Sequence, residues 1–239
     1  MADDTRPLAS LSLTHVYYDP EDPLSLLCAW LALLPQALCV VYVTLIWSTR
    51  EIEVALMFLG QLGCEAANFA LKRLIKEERP RRIHGKGYGM PSSHAQFVFF
   101  WALFLVLFLF VRHRPPHDPA RDARYRSRAL SRAERAVGSV VALVAAAAVA
   151  WSRVYLGYHT TRQVFAGSAA GAFCAVAWFA ATTYIRDQGL LDWALRIPLV
   201  EWFRFRDLLL EEDLCQAGWE KWEEKRIQAG RRSKADKVK

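Results

Sequence analysis

The stretch Gly87–Val111, GYGMPSSHAQFVFFWALFLVLFLFV, decides how this chain is read. From Ala95 to Val111 it is almost wholly apolar and aromatic, long enough as a helix rising roughly 1.5 Å per residue to be a membrane span. Gly87, Gly89, Pro91, Ser92, Ser93 and His94 stand directly in front of that hydrocarbon. A segment that only had to enter a bilayer would need none of them. Ser92 or Ser93 suits the N-cap of the coming helix. Free N–H groups and a partial positive charge make a helix start a place for an anion, and His94, in the first turn, would point at it.

Working outward, 54% of the 239 residues are apolar while 23% are charged, so charge and hydrocarbon must be segregated along the chain. They are. Further spans are expected at Leu26–Trp47, kinked at Pro35, and at Ile52–Leu71, Ala136–Trp151 and Val164–Ile185. The expectation is an all-α polytopic membrane bundle of about five transmembrane helices, with interfacial and cytosolic helices behind it. Gly167 and Gly171 form a GxxxG that predicts close helix packing inside one bundle. Residues 190–200, interrupted by Asp192 and Arg196, read as an interfacial helix. Leu208, Cys215, Trp219 and Trp222 read as one face of a surface helix. A net charge of +7 borders hydrophobic spans and points to a membrane surface, not to nucleic acid. Four of the five cysteines, Cys28, Cys39, Cys64 and Cys174, fall inside apolar runs and, like Cys215, read as small side chains without a disulfide or zinc role. No cleaved leader is read at the start.

Charge also gives an orientation. The segment 112–135 holds eight arginines against three acids and is expected in the cytoplasm. The tail, ending in Arg231, Arg232, Lys234, Lys237 and Lys239, falls on the same side. The loops 72–93 and 152–163 then share the opposite side by count of spans alone.

Those two loops and the helix before them hold the polar residues that hydrocarbon does not explain. Glu65, Asn68 and Lys72, at i, i+3 and i+7, share a helix face, and ionisable groups in a span usually face a bundle interior. An internal Glu–Lys pair is the structural alternative. Pro80 biases Arg79 toward extended backbone, so a planar guanidinium is presented near the lysine. Lys76, Arg81, Arg82, His84 and Lys86 add positive field. In Ser152–His159, Arg153 is a second oxygen clamp and His159 a candidate nucleophile. One imidazole would attack phosphorus while the other protonates the leaving group. With no acidic cluster at magnesium spacing nearby, the cations would supply the charge stabilisation.

Lys72-x6-Arg79-Pro80, Pro91-Ser92-Ser93-His94 and Ser152-Arg153-x5-His159 resemble the three-part signature of the type 2 phosphatidic acid phosphatase superfamily. GYGMPSSHAQF, SRVYLGYHT and Glu65-x2-Asn68-x3-Lys72 resemble more closely its dolichyl diphosphatase subgroup. The resemblance covers roughly residues 50–185. It implies that Lys72, Arg79, Ser92, Ser93 and Arg153 hold phosphate oxygens, that His94 is the general acid, and that His159 forms a phosphohistidine. It implies no metal and no other cofactor. The superfamily usually has Asp four residues after the nucleophilic His; here Gln163 stands there, and its amide oxygen can accept from the imidazole.

The reading that follows is a lipid diphosphatase that converts dolichyl diphosphate to dolichyl phosphate and phosphate. It would act in the endoplasmic reticulum membrane with the site toward the lumen, recycling the carrier for protein N-glycosylation. Its partners would be the polyprenyl lipid and the bilayer, with no nucleic acid and no obligate protein partner. Residues 1–25 would be lumenal, 26–185 the phosphatase domain and 186–239 an interfacial and cytosolic tail. The alternatives are a phosphatase for phosphatidate or a shorter prenyl diphosphate, and a non-catalytic lipid-binding membrane protein.

Overall fold

The computed structural model describes residues 9–11, 16–80, 87–114 and 130–236, without the side chains of 9–11 and 231–236. Arg81, Arg82, His84, Lys86, the arginines between 121 and 128, and the basic side chains from Arg231 onward lie outside the described residues. The elements run β1 (Ala9–Leu11), β2 (Val16–Tyr18), α1 (Pro23–Leu31), α2 (Leu34–Thr49), α3 (Ile52–Ile75) and α4 (Ser93–Leu107). A π-turn at Phe108–Arg112 ends α4. There follow α5 (Arg132–Tyr155), α6 (Thr161–Asp187), α7 (Leu190–Leu195), α8 (Pro198–Trp202) and α9 (Leu214–Asp236). Five helical segments are long and apolar enough to cross a bilayer: Pro23–Thr49, Ile52–Ile75, Ser93–Arg112, Arg132–Tyr155 and Thr161–Asp187. The fold is an all-α polytopic bundle.

Local chemistry sets the helix ends. Ser131 and Thr160 open α5 and α6 with reciprocal capping boxes to Glu134 and Gln163. Pro35 has no N–H for the Leu31 carbonyl, so the first span breaks at Ala32–Leu33 into α1 and α2. The kink expected at the proline therefore appears one turn earlier, at the acceptor it fails to satisfy. Ser92 sits at the N-cap of α4, but its hydroxyl makes no capping bond.

The helix from the opening stretch is the axis of the bundle: α4 packs on α3, α5 and α6. Val98, Phe100, Ala102 and Phe104 are completely buried, which explains why its sequence is apolar on every side. The surrounding helices carry exposed Val137, Val140, Val144, Phe165 and Phe173 on the outer surface, as lipid-facing helices do. Gly167 and Gly171 let α6 lie directly on α4. A Cβ at Gly167 would come within 2.5 Å of the Ser92 carbonyl oxygen, and one at Gly171 within 2.2 Å of that of Gln96. The expected close contact thus lies inside one bundle.

Polar residues of α3 stitch the interior. Gln96 Nε2 donates to the Cys64 carbonyl at 2.8 Å and Gln96 Oε1 accepts from Asn68 Nδ2 at 2.7 Å. Glu53, at the other end of α3, receives Arg112 at 2.6 Å and also Arg186, which in turn pairs with Asp207. Glu51 Oε2 accepts the backbone N–H groups of Leu208 and Leu209 at 2.9 and 3.0 Å, pinning the chain beyond α8 beneath the bundle.

The tail differs from expectation in two ways. The region 190–200 forms two short helices separated at Arg196–Ile197, because Pro198 opens a new helix instead of continuing the old one. Leu208 lies in the pinned segment outside α9, so only Cys215, Trp219 and Trp222 belong to that helix; Cys215 is exposed, and the two tryptophan rings pack at 4.9 Å. The N-terminal hairpin was not expected.

Candidate active site

Three segments meet at the end of the bundle away from Glu53. The first follows α3. Lys76 takes a left-handed conformation, φ 54°, and turns the chain back on itself. The Gly89 N–H then donates to the Glu77 carbonyl at 2.6 Å, and Glu78 bridges to Tyr88. This return delivers Pro91–His94 to the start of α4. The Ser92 N–H donates to the Gln163 carbonyl at 3.1 Å, which joins the second segment to the third.

His159 lies between α5 and α6 and is 4% exposed. Its Nδ1 faces Gln163 Oε1 at 3.3 Å. That oxygen also accepts the Thr160 N–H at 3.2 Å, while Gln163 Nε2 donates to Glu77 Oε1 and to the Glu78 carbonyl, both at 2.9 Å. With two acceptors on Nε2, the amide cannot be turned round without losing both bonds. Its oxygen therefore faces the imidazole, Nδ1 carries the proton, and Nε2 keeps its lone pair. Burial, and then the charges of Arg153, Arg79 and Lys72, lower the pKa of His159 to about 3. The resting imidazole is neutral at physiological pH.

Among the described residues no acid pairs with Arg153, whereas Arg112 and Arg186 pair with Glu53. Arg153 is 3% exposed and its Nε and Nη1 have no hydrogen-bond partner, although its guanidinium lies 4.1 Å from the centre of the Tyr158 ring. The Ser92 hydroxyl is also buried without a partner. Leaving such groups unsatisfied costs roughly 1–3 kcal/mol each, so their persistence at one place points to an anion that satisfies them. Arg79 and Lys72 are within electrostatic reach of His159 and of each other. Among the described residues no group of three His, Cys, Asp or Glu side chains is placed to hold a metal ion.

His94 is half-buried, donates to the Ala32 carbonyl at the break in the first span, and lies within electrostatic reach of His159, Arg153 and Lys72. With Ser93, Glu65, Phe97, Pro35, Gln36 and Cys39 it lines a cavity of about 270 Å³ between α2, α3 and α4. Glu65 makes no ion pair with Lys72 among the described residues, and its Oε1 is buried without a partner. Asn68 turns away from the cations toward Gln96 and the Pro91 carbonyl, where it holds the start of α4 in place.

Several contributors escaped the sequence reading. Glu77 touches Gln163, and two acids inside so basic a loop were the signal that could have found it. The Tyr158 hydroxyl accepts the Tyr17 N–H at 2.8 Å. Val16, Cys28, Ala29 and Ala32 pack on Leu156 and Tyr158, so the N-terminal hairpin and α1 brace the segment that carries His159. Only packing between distant parts of the chain reveals that.

Comparison with known proteins places this arrangement among relatives. The profile described as PAP2 superfamily matches residues 53–187. The chain is 59% identical to a "Putative dolichyldiphosphatase" of Neurospora crassa, over 95% of this chain and 96% of the relative. It is 38% identical to the human "Dolichyldiphosphatase 1", over 84% of this chain and 82% of that one. Among solved structures, a transmembrane PAP2 type phosphatidylglycerolphosphate phosphatase from Bacillus subtilis superposes with a TM-score of 0.53. It is 21% identical, covers 69% of this chain and 79% of its own, and shares the fold.

Proposed function

The chain belongs to the PAP2 superfamily, and from that premise we propose that it hydrolyses dolichyl diphosphate to dolichyl phosphate and inorganic phosphate. The observation that carries the chemistry is the pair of unpartnered Arg153 nitrogens beside an imidazole whose Nδ1 is tied to Gln163. Dolichyldiphosphatase relatives of nearly full length support the choice of lipid.

Lys72, Arg79, Arg153, Ser92 and the first-turn N–H groups at Ser93 hold the terminal phosphoryl oxygens. Their charge stabilises the transition state as oxyanion density builds. His159 Nε2 attacks the terminal phosphorus and forms a P–N bond. The bond from that phosphorus to the bridging oxygen breaks, and His94 gives its proton to that oxygen, releasing dolichyl phosphate. His94, now neutral, takes a proton from water as the water oxygen attacks the phosphohistidine. The P–N bond breaks, phosphate leaves and His159 is restored. A neutral attacking group avoids the repulsion an anionic nucleophile would meet at a charged diphosphate.

The cavity between α2, α3 and α4 opens beside His94 and Phe97, so a headgroup held by the cations has a path for its tail into the membrane. In this reading the site faces the lumen of the endoplasmic reticulum, and the product returns to the carrier pool for N-glycosylation. Residues 1–25 lie on the lumenal side, 26–185 form the phosphatase domain, and 186–239 form the interfacial and cytosolic tail.

Purified protein in detergent or liposomes, assayed for phosphate release from dolichyl diphosphate and from phosphatidate with and without EDTA, tests the reading. Preference for dolichyl diphosphate, unchanged by EDTA and absent in His159→Ala, is expected. Preference for phosphatidate would transfer the assignment to another lipid phosphate. Full turnover by His159→Ala would remove the nucleophile.

A further inference from the structure

We propose that Glu77 is a positioning residue for the nucleophile: through Gln163 it supplies, at one remove, the carboxylate that the superfamily usually places directly on the histidine. The inference rests on His159 as nucleophile. Its observation is the chain Glu77 Oε1 to Gln163 Nε2 at 2.9 Å and Gln163 Oε1 to His159 Nδ1 at 3.3 Å.

A neutral amide alone is ambiguous, because its oxygen and nitrogen can exchange places. Turned the wrong way, Gln163 would present N–H to the imidazole, force the proton to Nε2 and remove the attacking lone pair. The Glu77 carboxylate, with the Glu78 carbonyl and the Thr160 N–H, forbids that orientation: the first two accept from Nε2 and the third donates to Oε1, and Glu77 is the charged member of the three. It also polarises the amide along the chain of bonds, which makes Oε1 a better acceptor for the developing imidazolium.

The backbone is built around this contact. Lys76 reverses the chain through its left-handed turn, and the Gly89 N–H clamps the Glu77 carbonyl. A Cβ at Gly89 would come within 2.8 Å of Gln163 Nε2 and 2.9 Å of Oε1, so the amide can lie there only against a glycine. The charges that weigh most on His159 are positive: Arg153, Arg79 and Lys72, with the His94 ring on the α4 side. On the Gln163 side stand two acids, Glu77 with its carboxylate on the amide and Glu78 with its backbone carbonyl there.

The test is an isosteric exchange of charge, with kcat, KM and the pH dependence of kcat measured on the purified full-length chain. Glu77→Gln is expected to lower kcat about tenfold with KM within about twofold. The acid limb of its profile should move to lower pH, because a negative charge that favours imidazolium is gone. Gln163→Glu sets two carboxylates face to face and is expected to lose about a hundredfold or more. The double variant Glu77→Gln, Gln163→Glu restores one carboxylate and one amide with their places exchanged. It should regain at least about tenfold over Gln163→Glu, with the acid limb above that of the wild type.

Wild-type kcat and an unmoved profile in Glu77→Gln would overturn the proposal. So would a double variant no better than Gln163→Glu. Melting temperatures of all variants separate loss of fold from loss of positioning; a fall in kcat that merely tracks melting temperature also counts against it. If the unsubstituted protein releases no phosphate from any lipid diphosphate, the failure belongs to the proposed function and not to Glu77.

Discussion

Two buried ionic clusters sit at opposite ends of the same bundle, and they are built on opposite rules. At one end Arg112 and Arg186 are matched by Glu53 and Asp207, and Arg112 Nη2 also donates to the hydroxyls of Thr182 and Thr183. At the other end Lys72, Arg79 and Arg153 crowd one another, and Arg153 keeps two buried nitrogens without a partner. The first cluster pairs its cations with acids, although Arg186 Nε is left without a partner, and it joins α3, α6 and the segment around Leu208 into one unit. In the second, the two Arg153 nitrogens are groups that the proposed phosphate would satisfy. Buried charge is therefore informative here by the acids beside it: the cations at Glu53 are paired within the bundle, and Arg153, with no acid on it among the described residues, fits the proposed phosphate site.

Substitution separates the two rules. The largest effect is expected at the proposed nucleophile. His159→Ala should reduce phosphate release to background, with melting in detergent largely retained.

Next is a crossed pair. Arg153→Met should cut kcat/KM by roughly 10²–10³-fold, the scale of losing a transition-state donor. The same change should leave melting unchanged or raise it, because an uncompensated buried charge is removed. Arg186→Met should do the reverse. It strands Asp207, leaves Glu53 with Arg112 alone and should cost about 3–5 kcal/mol of stability, while kcat of the molecules that remain folded stays near the wild-type value. Equal stability losses from both variants would end the distinction between the clusters.

A pH effect on stability comes next. The folded-state pKa of His159, about 3, lies below its unfolded value near 6.5, so on acidification the unfolded chain takes up the proton first. The stability tied to the neutral ring is complete above about pH 6.5 and is lost as pH falls toward 3. His159→Asn should flatten the fall of melting temperature over that window relative to the wild type.

The smallest effect is expected from a ligand. Inorganic phosphate at about ten times its dissociation constant should stabilise the wild type by roughly 1.4 kcal/mol, and Arg153→Met very little. An equal shift in both proteins would place the phosphate elsewhere.

Hydropathy made the spans legible because a helix in hydrocarbon must bury its own backbone hydrogen bonds and cover them with apolar side chains. That requirement is local, and Ala95–Val111 expresses it in one unbroken run. The three motifs stood out for a related reason: the anion binding proposed for them selects Lys, Arg, Ser and helix starts at fixed spacing. Boundaries shifted for a local reason at Pro35, whose missing N–H opened the helix one turn earlier, and for a distant one at Leu208. The first span broke before Pro35, the carbonyl at that break was taken by His94, and Leu208 was held by Glu51 instead of joining the last helix. Asn68 was expected to support the site from its place on α3, and only the fold shows that its amide is bonded to Gln96.

By itself the sequence determined an all-helical membrane bundle and the kinds of side chain gathered at one end of it. Which nitrogen of His159 bears the proton, and that a carboxylate stands behind Gln163, only the tertiary structure decided. Glu77 and Gln163 are 86 positions apart. Helical periodicity relates residues within one helix, a few turns apart; what a side chain meets across loops depends on how separate helices pack, and that packing sets the hydrogen bonds on which the proton depends.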